Sequence, residues 1–191
     1  MSWYEILLFC HIACAVTWLG AGLLSQVQSA RAARSTDPNA ILYLLKDIGG
    51  LALLVFIPAS MGTLIFGILL VIVGGWGFAS LWVVLALAGF FASFVIGNFV
   101  LKPGAARIAE MVERGGAGAE VMPVARRLML AGRIELVILY AVVANMVLKP
   151  SIDDVAKLTA LAAALVVGTA LILFFSRPKM TGSQNLAHAS Q

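Results

Sequence analysis

Charged residues are scarce in this sequence: 13 Lys and Arg with 9 Asp and Glu make up 12% of 191 residues, against about 25% in soluble domains. Hydrophobic residues reach 62%. That balance excludes an ordinary soluble domain and predicts one membrane domain. The formal charge of +4 is spread through the polar connections and not gathered in a patch, which argues against a nucleic-acid partner and for a topology signal. Cysteine is nearly absent: Cys10 and Cys14 are the only two, four apart in one apolar segment, where such a pair serves packing and not a disulfide framework. No internal repeat is visible, which tells against an inverted-repeat transporter. No basic n-region precedes Glu5, so a cleavable signal peptide is not expected.

What is present is a series of long apolar runs. Spans are predicted over about 3–26, 49–73, 79–101, 128–149 and 155–176, each long enough to cross a hydrocarbon core of about 30 Å. Trp3 and Tyr4 open the first as interfacial anchors. Residues 27–46 leave the bilayer, with a short interfacial helical turn at 41–45. The second span holds Pro58, whose freed carbonyl Ser60 or Thr63 would help satisfy, and Gly62 and Gly67, which allow close helix approach. Gly74-Gly75-Trp76-Gly77 is an uncharged turn. Residues 102–127 are polar, helix-turn-helix in outline and without a catalytic motif, so the sequence does not decide whether the chain is an enzyme. A polar tail, 177–191, follows the last span. Lys and Arg number three in the first connection (Arg31, Arg34, Lys46), none in the second and five between Lys102 and Arg127. The positive-inside rule then puts the N-terminus outside and the C-terminus inside.

Histidine is rarer still, and His11 is the only one in an apolar segment; His188 lies in the tail. An ionisable group at that depth, roughly 12 Å below the outer edge, needs a reason. His11, Cys14, Trp18, Gly22 and Ser25 share one helical stripe, which should face other helices. A neutral imidazole there can be an axial haem ligand or a copper ligand; otherwise it is a hydrogen-bonded packing residue. With no second histidine in the spans, haem would need single ligation, Met61 or Met146 as partner, or His11 from a second copy in a homo-oligomer. Cys-His-x-x-Cys is not the Cys-x-x-Cys-His order of covalent haem attachment. Copper would use His11 with the two thiols. In the fourth span Arg133 and Glu135 point about 200° apart, so each should find a partner on another helix. Arg133 could instead hold an anionic group such as a propionate or phosphate.

Residues 8–34, with His11, Trp18-Leu19-Gly20, Arg31 and Arg34, resemble the first helix of the CopD/HemJ-like bacterial membrane proteins and its LH…WxGG pattern. Pro58-Ala59 with Thr63-Leu64-Ile65-Phe66-Gly67 is similar to the "PA…T.I.G" helix of HemJ-type protoporphyrinogen oxidases. Arg133, Glu135 and Val147-Leu148-Lys149-Pro150 resemble their last helix. A bacterial family of predicted integral membrane proteins that begins "SWYEILLF.H" is the nearest likeness, and the resemblance covers 3–150. It implies an all-α polytopic bundle, a four-helix unit plus one C-terminal helix, in the bacterial inner membrane. It also implies haem b, or copper in the CopD-type relatives, with His11 as haem or metal ligand and Arg133 and Lys149 as functional cations. Ile134-Glu135 stands where HemJ-type proteins have Asn-Glu, and their later histidine has no counterpart, which tells against oxidase activity. The reading is therefore a haem-binding redox protein or subunit. A copper-handling protein or a structural subunit of a membrane complex is the alternative.

Overall fold

The computed structural model describes residues 2–32, 34, 44, 52–114 and 118–176. The interfacial turn expected at 41–45, apart from residue 44, the expected start of the second span at 49–51, residues 115–117 and the tail expected at 177–191 lie outside the described residues. Among the described residues there is helix and no strand, and five helical segments are long and apolar enough to cross a membrane. Helix α1 is Trp3–Ala32. A π-helical segment, Ala52–Phe56, leads into α2, Ile57–Val73. Helix α3, Leu81–Val95, passes through a second π-helical segment, Ile96–Leu101, into α4, Lys102–Glu113. Helix α5 is Gly118–Leu148 and α6 is Val155–Phe175.

Both π-helical segments stand just before a proline, Pro58 in one case and Pro103 in the other. A prolyl ring offers no N–H and crowds the carbonyl four residues back, and a widened preceding turn accommodates both defects. Pro58 consequently sits in the first turn of α2. Ser60 Oγ donates to the Ile57 carbonyl and Thr63 Oγ1 to that of Ala59, so, contrary to the expectation from the sequence, neither serves the carbonyl behind the proline. Past Pro103 the chain stays helical, giving 33 residues from Leu81 to Glu113 where the third span was expected to end near 101. Helix α5 likewise starts at Gly118 instead of near 128. The reason is that 102–127 is amphipathic: Ile108 and Val121 are each 2% exposed and Gly104 backs onto Leu128, while Arg107, Arg126 and Arg127 stay exposed. The two helices of the expected helix-turn-helix outline are present as extensions of two membrane helices, and the residues between them, 115–117, lie outside the described ones.

Helix α5 is the hub, touching α1, α3, α4 and α6. Its sequence provides three faces about a third of a turn apart. Gly132, Leu136 and Leu139 meet Gln26, Gly22 and Trp18 of α1. Glu135, Ile138, Val142 and Asn145 meet Ser93, Gly89 and Trp82 of α3. Arg133 and Val137 meet Ser176 and Gly168 at α6. Small and polar residues thus occupy the seams, whereas Phe9, Val16, Phe91, Val166 and Phe175 are turned outward, the arrangement of a bundle whose solvent is lipid. Helix α2 packs on α1, completing the frame around His11.

Candidate functional site

Trp18, Ala59 and Leu139, flanked by Leu19, Phe56 and Phe90, bring α1, α2, α3 and α5 to one level. Trp18 and Phe90 meet edge to face at 5.6 Å. This layer serves as a ruler, because helix residues advance by about 1.5 Å each. His11 lies about 10 Å above it along α1, and Lys149 about 15 Å above it along the antiparallel α5. Arg133 lies about 9 Å below. The three residues singled out in the sequence are therefore not one constellation: His11 and Lys149 share an end of the bundle, and Arg133 belongs to the other.

The imidazole of His11 is fixed by α2. Its Nδ1 is 2.9 Å from the Thr63 carbonyl oxygen. A carbonyl only accepts, so Nδ1 carries the proton, and in the neutral ring Nε2 keeps its lone pair. The ring lies against Gly67, where an added Cβ would stand 3.0 Å from Cε1 and 3.3 Å from Nδ1. One turn along, Cys14 fills the hollow at Gly62, its Sγ 2.6 Å from where a Cβ would be. Next come Trp18 in the core layer and Gly22 against Leu136. The stripe faces other helices, as its polar and small residues required, although Ser25 Oγ returns its hydrogen bond to Ala21 of its own helix. Both thiols are free. Among the described residues no three His, Cys, Asp or Glu side chains converge as a metal-holding group.

Above His11, Lys149 Nζ stands 4.1 Å over the Trp76 ring and 5.3 Å over that of Trp82. Trp76 meets Trp82 at 5.2 Å and Tyr4 at 5.9 Å, both edge to face. Cation–π attraction gives Lys149 its seat. Beneath it, Asn145 is 4% exposed, donates Nδ2 to the Trp82 carbonyl at 2.7 Å and keeps its buried Oδ1 without a protein partner. In the sequence Tyr4 reads as an interfacial anchor, and Trp82 is one more apolar residue of the third span. Only the tryptophan–lysine complement at span ends could have hinted at this clamp.

At the opposite end Arg133 Nη1 donates to Ser176 Oγ at 3.2 Å, beside the carboxyl end of α6, whose last carbonyls attract a cation. Ser93, 1% exposed, donates its hydroxyl to Glu135 Oε1 at 2.5 Å. Arg133 and Glu135 thus each find a partner on another helix, as their divergent directions required. Glu135 lies about 6 Å below the core layer and His11 about 10 Å above it, so the two are not neighbours.

No curated protein and no solved structure matches the chain. Residues 5–150 match a family described as predicted integral membrane protein (DUF2269). The matched stretch takes in nearly all of α1 together with α2 to α5, closes on the buried Pro150 and leaves α6 outside. The chain belongs to the DUF2269 family of predicted integral membrane proteins.

Proposed function

We propose that this membrane protein binds haem b and acts as a redox protein or subunit, with His11 as axial ligand through Nε2. The carrying observation is the 2.9 Å bond between His11 Nδ1 and the Thr63 carbonyl, since ligating histidines characteristically donate their other ring N–H to such an acceptor. Bound haem supplies reversible one-electron chemistry; the protein's part is to orient the imidazole and exclude water. Lys149, near the same level, offers a cation to an anionic edge of the cofactor. Met146 continues the α5 stripe of Gly132, Leu136 and Leu139 and comes level with His11 to within about a turn, which favours it over the exposed Met61 as a second ligand. Arg133, at the far end, is a holder of α6 in this reading. The resemblance of residues 3–150 to CopD/HemJ-like proteins supports the same assignment, in a bacterial cytoplasmic membrane with the N-terminus outside. Haem asks for fewer converging side chains than copper, and Cys14 is committed to Gly62, so the copper alternative is the weaker one.

The test is the oxidised and dithionite-reduced spectrum of the detergent-purified protein. A Soret band with sharp reduced α and β bands is expected. His11→Ala should abolish or strongly shift it while the protein still inserts, because one interhelical hydrogen bond in a membrane averages about 0.6 kcal/mol. Cys14→Ala should leave the spectrum unchanged. A colourless wild type, or wild-type haem in His11→Ala, would overturn the proposal.

A further inference from the structure

We infer that Gly67 is the positioning residue for His11: its bare α-carbon is the surface on which the imidazole lies, and this holds Nδ1 on the Thr63 carbonyl and fixes which ring nitrogen is left for a ligand. The consequence for ligation rests on the proposed function; the positioning itself does not. Gly67 follows Thr63 by four residues within α2, so the carbonyl that accepts from His11 also faces the Gly67 N–H of the helix ladder. A single turn of α2 therefore provides the acceptor and the clearance together. A methyl group at 3.0 Å from Cε1 and 3.3 Å from Nδ1 sits closer than ordinary van der Waals contact of about 3.5–4.0 Å. Intrinsic helix propensity alone would favour alanine over glycine at this position. The close approach of the ring is what glycine allows in return. Gly62 stands in the same seam but faces Cys14, which makes it an internal control: alanine there loosens the same helix pair without touching the ring.

The experiment uses the detergent-purified full chain labelled with ¹⁵N-histidine, in a His188→Gln background so that one ring remains. A slowly exchanging Nδ1–H resonance is expected for His11, lost in Gly67→Ala and kept in Gly62→Ala. Persistence of the resonance in Gly67→Ala, or its loss in both variants, would overturn the inference. If the wild type carries haem, Gly67→Ala should also weaken its binding about 10- to 100-fold, the range for loss of an outer-shell partner, while Gly62→Ala should not. A wild type without haem defeats the proposed function and leaves the resonance test of Gly67 intact; a haem-bearing wild type whose Gly67→Ala variant keeps resonance and affinity defeats only the positioning role of Gly67.

Discussion

Lys149 combines a favourable side-chain contact with an unfavourable backbone. Its φ is 41°, in the left-handed region that costs a residue with a Cβ about 1–2 kcal/mol, and the fully buried Pro150 follows it. The ammonium over Trp76 and Trp82 offsets part of that cost, at about 0.5–1 kcal/mol for an exposed cation–π pair. Lys149→Ala removes the contact and keeps the strain, whereas Lys149→Gly removes both. Lys149→Gly should therefore be the more stable variant by about 1 kcal/mol, read from thermal unfolding of the two proteins in the same detergent; equal stabilities, or the reverse order, would refute the strain. At this scale the sequence was legible for composition and not for partners. His11 announced itself by being alone in an apolar run, but Thr63 contributes a backbone carbonyl, which no side-chain pattern reveals. Glu135 demanded a partner, yet nothing distinguished Ser93 from other small residues on the third span.

Among the elements, the turn from α5 to α6 is set by local chemistry. Asp154 accepts from the Ser151 backbone N–H at 3.0 Å, from Ser151 Oγ at 3.2 Å and from Lys157 Nζ at 3.1 Å. The Ser151 backbone bond first, and the Lys157 bond after it, hold the Asp154 carboxyl below the usual carboxylate range. With the folded value depressed, the turn's added stability is complete above the ordinary range, near pH 4, and fades as pH falls through it toward the lower folded value. Amide exchange at Leu158, whose N–H bonds the Asp154 carbonyl, should therefore accelerate on acidification relative to mid-α6 amides. Asp154→Asn should exchange faster already at neutral pH and show no such step; a wild-type profile flat to pH 2 would contradict the assignment. Element positions were legible because apolar length is a strong signal. Their ends were not: the charges of residues 102–127 read as a connection, while the apolar positions Ile108 and Val121 that make α4 and early α5 a packed pair are too few to stand out.

At the scale of the molecule, charge and aromatic residues divide between the two ends. One end carries Tyr4, Trp76, Trp82 and Lys149, with Asp153, Asp154 and a Lys157 paired to Asp154. Toward the other lie Arg31, Arg107, Arg126, Arg127 and Arg133, four of them exposed on the helical extensions of α1, α4 and α5. Basic residues near span ends are retained on the cytoplasmic side, and Trp–Lys belts are at home at either interface. By the positive-inside rule that asymmetry predicts the Trp76 end, and with it His11, on the outer side. Helix α6 then decides where the chain finishes. Among the described residues its one extensive packing partner is α5, it lies beyond the family match at 150, and its apolar length is enough for one more crossing. Reporter fusions after Gly75 and after Pro150 should be active outside, and those after Gly116 and after Ser176 inside. A fusion after Gly75 on the cytoplasmic side would invert the bundle and place His11 in its inner half. Fusions after Pro150 and Ser176 on one side would instead mean that α6 does not cross, and Ser176 could not then reach Arg133 at the far end of the bundle.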